Sequence, residues 1–185
     1  MIRILNQSGI SRIAALALTV LALLSLSVAQ NNAPAQDGAT AAPRVEFKSQ
    51  NIGPRELEAL TGKSITRDYT AAWKGLADAL DHDAAEMLGG YFVGVPADQL
   101  RNTIIDQKRT GVHSRYRNQS HMLEAVFYSP EGDVMELHDT MQCDLEVMDG
   151  DKTLHQERAT LHYVVLMTPA ADRWVIRQLQ SVSRF

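Results

Sequence analysis

From Met135 to Val147 every second position is apolar except one: Met135, Leu137, Asp139, Met141, Cys143, Leu145, Val147. A period of two is the signature of a strand with one face against a core. The same alternation predicts strands near 112–129, 133–148, 153–168 and 173–183. They are separated by Ser129-Pro130-Glu131-Gly132, Asp149-Gly150-Asp151 and the run from Thr168 to Asp172, all turn chemistry. Upstream the period is that of a helix. Tyr69, Ala72, Trp73, Leu76 and Leu80 form one stripe, and Pro96 to Thr110 forms another with Leu100, Ile104 and Ile105. Pro54 to Leu60, with Gly62 beyond it, reads as a short helix. Asp83 followed by Glu86 has the spacing of a capping box for a further helix through Leu88, ended by Gly89-Gly90. The prediction is an α+β domain in which three N-terminal helices pack on a curved antiparallel β-meander.

Register follows from parity. If the first two hairpins have three-residue loops with glycine in the left-handed position, odd residues of three strands share a face. That face reads Leu123, Ala125, Phe127, then Met135 to Val147, then Ala159, Leu161, Tyr163, Val165 and Met167. The opposite face is polar and includes Glu124, Glu136, His138, Gln142 and His162. Asp139 then sits opposite Leu123 on one side and Ala159 or Leu161 on the other, with Tyr163 close by.

Composition adds compartment and excludes some partners. Residues 1–29 have the form of a secretory signal: Arg3 and Arg12 without acids, an apolar run from Ile13 to Leu26, and small residues at Ser27 and Ala29. The apolar run is short for a membrane span. Residues 30–44 read as a disordered leader, and 45–185 as a single domain. Cleavage would leave 16 basic residues (18 less Arg3 and Arg12) against 22 acidic ones, moving the net charge from −4 to −6. A periplasmic or secreted protein of this charge is a poor partner for nucleic acid or anionic lipid. One cysteine excludes an internal disulfide. The six histidines show no metal-ligand spacing, so no metal or cofactor is expected.

Helices followed by a curved antiparallel sheet that ends in Arg173-Trp174-Val175-Ile176-Arg177, with the corner Ala79-Leu80-Asp81-His82-Asp83, resemble the nuclear transport factor 2-like, or cystatin-like cone, superfamily. The resemblance covers residues 66–183. It implies a pocket between the helices and the concave apolar face, which is the face of Asp139. It also implies a range of functions, from isomerases, dehydratases and polyketide cyclases to non-catalytic binding modules and homodimers through the sheet.

Asp139 is the candidate for chemistry. A desolvated carboxylate suits a general base, with Tyr163 as a hydrogen-bond donor to the substrate. The competing role is structural, with the carboxylate held by Tyr163, the Trp73 indole or an arginine. Trp73, Leu123, Leu161 and Arg177 are the candidate ligand contacts, Arg177 only if the last strand turns it inward. Val175 and Leu179 favour that facing; Trp174 and Ile176 oppose it. Arg101, Lys108, Arg109, Arg115 and Arg117 read as a solvated basic run. The chain as a whole reads as an exported domain that binds a small apolar or amphipathic ligand or a protein partner, without a catalytic motif. An isomerase-like enzyme and a cell-envelope assembly module are the alternatives.

Overall fold

The computed structural model describes residues 41–50 and 52–185. The expected signal segment and residues 30–40 of the expected leader lie outside them. Two α-helices, α1 (Ala59–Asp81) and α2 (Val95–Thr110), lie across a five-stranded sheet. The strands are β1 (Arg44–Lys48), β2 (Val112–Tyr128), β3 (Met135–Asp149), β4 (Lys152–Pro169) and β5 (Trp174–Val182), and they lie side by side in chain order.

The α+β class holds, with two corrections. The sheet is mixed, because β1 runs parallel to β2 (Val45 beside His121, Phe47 beside Leu123). Among the described residues the α-helices are two. Residues 54–58 are not helical, because their backbone is committed to the sheet edge: Gly53 accepts from the Tyr128 amide at 2.9 Å and Pro54 bridges Tyr128. Gly62, expected as a stop, lies inside α1. The buried stripe Ile65, Tyr69, Ala72, Trp73, Leu76 outweighs the ~1 kcal/mol that a helical glycine costs. The expected capping box is absent. Asp83 has φ 50° and its segment is only a 3-10 turn, Ala85–Leu88, closed by Gly89 and Gly90 in left-handed conformations. α2 ends at left-handed Gly111 as expected, with Ile104 buried; Ile105 faces solvent.

The strands keep the inward parity through bulges. Asp139 pairs with Leu123, as parity requires, and with Tyr163 directly on the other side, in place of Ala159 or Leu161. The second hairpin turns on two residues, Gly150 and Asp151, between paired Asp149 and Lys152. Such a loop alone would put the strands out of phase. An irregularity beyond Val147 leaves Leu154 unpaired and restores the phase. The first hairpin is longer than three residues, with Tyr128 paired to Met135. A bulge between Ala125 and Phe127 turns Phe127 outward and gives its inner place to Tyr128.

In β5 the conflicting facing signals are both correct. The register shifts between Leu166 and Met167, leaving Arg177 as the extra residue. Ile176 is buried before the bulge and Leu179 packs against the core after it. Arg177 itself is exposed and bonds only Thr168, so it is not a pocket residue.

Tyr69, Trp73, Leu76 and Ile104 meet Leu123, Met135, Leu137, Met141, Val165, Met167 and Ile176 in one core. Asp68, also buried, ties α1 to β5 by accepting the Trp174 amide at 2.7 Å while Arg67 grips both of its oxygens.

Candidate functional site

Asp139 is fully buried at the centre of the sheet's inner face. α1 brings Tyr69 over it, and β2 brings His121. The Tyr69 hydroxyl donates to Asp139 Oδ2 at 2.7 Å. His121 Nδ1 lies 2.8 Å from the same oxygen, the geometry of a ring N–H donating to a carboxylate. A carboxylate inside a protein is tolerated only when such donors replace water.

Aromatic rings close the space around it. Trp73 lies 4.7 Å from the His121 ring and 5.4 Å from Tyr163, centroid to centroid, and Tyr69 meets His121 edge-on at 5.7 Å. Burial, then the charge of Asp139, push the Tyr69 hydroxyl well above the usual tyrosine range, so it stays protonated and donates. Tyr163 is raised too, chiefly by burial. Tyr116, on β2 and packed against the same core, is pushed up to about 12 by burial.

The cluster is not fully paired. Asp139 Oδ1, His121 Nε2 and Trp73 Nε1 are buried without a hydrogen-bond partner. Buried polar atoms of this kind are uncommon, and each costs stability. Two surface hollows lie away from Asp139. One lies beside α1 and β1; the other lies on the outer face by Met122, Thr140 and Gln142 and touches only His121 of the cluster.

Of the residues picked from the sequence, Asp139, Trp73, Leu123 and Tyr163 come together. Leu161 is half-buried at the edge of the core, paired with Met141. Tyr163 flanks Asp139 without bonding it; the donors are Tyr69 and His121, which sequence reasoning missed. Both signals were present. Tyr69 lies on the helical stripe, and His121 is two residues before Leu123 in the same alternation. Cys143 is buried and its thiol is raised to about 11 by burial, the state of an inert small hydrophobe. The basic run is largely neutralised: Arg101 meets Asp98, Arg109 meets Asp106, and Arg115 bridges Asp81 and Glu146. Tyr91-Phe92-Val93 turns a corner, held to Ile176 by two backbone bonds. No group of acids, histidines and cysteine among the described residues is arranged to hold a metal. No described helix is long and apolar enough to cross a membrane.

No protein-family model and no curated protein matches the chain. Among solved structures it is similar to the intermembrane-space region of the chloroplast protein ARC6, at 16% identity over 70% of this chain and 98% of that one, with a TM-score of 0.57. A protein of unknown function with a cystatin-like fold from Nostoc punctiforme is 17% identical over 70% of this chain and 96% of that one, with a TM-score of 0.37. A de novo designed β-sheet protein is 15% identical over 65% and 88%, with a TM-score of 0.36. The likeness to the first is one of fold.

Proposed function

We propose that the chain is an exported, non-catalytic binding domain of the nuclear transport factor 2-like type, whose ligand is a protein partner. The observation that carries this is the enclosure of Asp139. A general base needs access to a substrate proton. Here the one polar residue of β3's inner alternation is covered by Tyr69, His121 and Trp73, and it serves to hold α1 on the sheet. The signal-like form of residues 1–29 supports action in the periplasm or outside the cell.

The test is the melting temperature of Asp139→Asn. A structural carboxylate loses charge-assisted bonds in this variant, and the melting temperature falls. Catalytic groups are held at a cost to stability, so their replacement leaves stability unchanged or raises it; that result would overturn the proposal. It would favour the alternative to which the three unpaired buried atoms point. There, a small molecule enters the core and Asp139 acts as a base in isomerase-like chemistry, with Tyr69 as the donor where Tyr163 had been expected.

A further inference from the structure

Gly62 is an unexplained residue. It lies inside α1, where glycine is the costliest residue but proline. Packing within the chain does not require it. A Cβ there would meet Leu57 at 3.4 Å and Phe47 at 3.6 Å, ordinary contact distances. Gly62 instead forms the floor of an open groove of about 540 Å³ between α1 and β1. Phe47 and Leu57 line the groove and are only partly buried. Beside it runs β1, the edge of the sheet, with no strand on its outer side among the described residues.

The charges of the rim are unbalanced. Glu58 is engaged by Arg55. Lys63 has no carboxylate within ion-pair distance among the described residues, and Arg67 keeps an exposed guanidinium although Asp68 grips it. One uncompensated positive charge, that of Lys63, and the exposed face of the Arg67 guanidinium therefore border an apolar slot on a chain of net charge −4.

We propose that this groove and the edge of β1 receive an extended acidic segment of a partner protein. The segment adds as a strand to β1, seats an apolar side chain over Gly62 between Phe47 and Leu57, and sets carboxylates against Lys63 and Arg67. Strand addition uses the unpaired backbone of the edge for affinity, and alternate side chains entering the groove for specificity. Glycine suits this position because a longer side chain there would occupy the slot. This rests on the reading of the chain as a partner-binding domain and names the surface that does the binding.

The experiment selects random dodecapeptides displayed on phage against the full chain, then measures a synthetic enriched peptide by fluorescence anisotropy. The expected peptides alternate apolar residues with an excess of acidic ones. Gly62→Met should weaken binding at least about tenfold by filling the slot, while its melting temperature holds or rises. Lys63→Glu should weaken it roughly threefold to tenfold, more at low salt. Gly62→Ala serves as the folded control with a smaller loss. Failure to enrich any peptide overturns the inference, as do enriched peptides that bind Gly62→Met as tightly as the parent. If binding is lost instead in the outer-face variant Thr140→Arg, partner binding stands and this groove does not. A rise in the melting temperature of Asp139→Asn would overturn the non-catalytic reading without touching the groove.

Discussion

Tyr69→Phe removes one oxygen and leaves the ring, so it isolates the bond that joins α1 to the centre of the sheet. The lost bond is 2.7 Å long, ends on a carboxylate oxygen, and lies between two residues that are both 0% exposed. Bonds to charged groups contribute ~1.5–3 kcal/mol, and an acceptor left short of a donor in the interior adds to the loss. Asp139 has little reserve. Oδ1 already lacks a partner, so the carboxylate would rest on His121 alone. The expected loss is about 2–3 kcal/mol, a melting temperature lower by roughly 6–12 °C for a domain of this size. Urea titration followed by circular dichroism measures it, with the slope against denaturant unchanged. The double variant Tyr69→Phe with Asp139→Asn should lose less than the sum of the singles, because the two side chains share one bond. A loss below about 0.5 kcal/mol, the range of ordinary surface substitutions, or strict additivity would refute the reasoning.

The phenols of Tyr69, Tyr116 and Tyr163 and the Cys143 thiol are all raised in the folded state. Their stabilisation is therefore complete below the unfolded values and is lost as pH rises toward the folded ones. Urea melts should show these groups adding no pH dependence between about pH 6 and 8 and stability falling above pH 9, by up to about 1.4 kcal/mol per pH unit for each titrating group. Tyr116→Phe should flatten that fall. Asp68→Ala should cost about 2–3 kcal/mol and speed hydrogen exchange at the Trp174 amide, which Asp68 accepts at 2.7 Å. The two helical glycines should part company. Gly62→Ala should stabilise by about 0.5–1 kcal/mol. Gly75→Ala should destabilise, because its Cβ would lie 2.7 Å from the Met87 carbonyl oxygen; thermal melts of the pair decide both.

Parity was legible in the sequence, and register was not. The alternation from Met135 to Val147 placed Asp139 inward and opposite Leu123, as found. It could not place Tyr163, because a two-residue turn at Gly150-Asp151 and an unpaired Leu154 together preserve parity while sliding the partner strand by two residues. Bulges likewise explain Phe127 and Arg177: each adds one residue, and the face inferred from even spacing fails beyond it. β1 was missed because five residues with two inward apolar positions give little periodic signal. In the site, the carboxylate was legible as the odd residue of an apolar face. Its partners come from α1 and β2, 70 and 18 residues away, and their convergence depends on how the helix crosses the sheet.

The enclosure of Asp139 is tested most directly by nuclear magnetic resonance of the Tyr69 hydroxyl and His121 Nδ1 protons, with a soluble paramagnetic agent added to report on the Asp139 carboxyl carbon. A sealed cluster predicts two resolved, slowly exchanging proton signals and a carboxyl carbon untouched by the agent. Rapid exchange of both protons with water, together with broadening of that carbon, would show an open site and contradict the account.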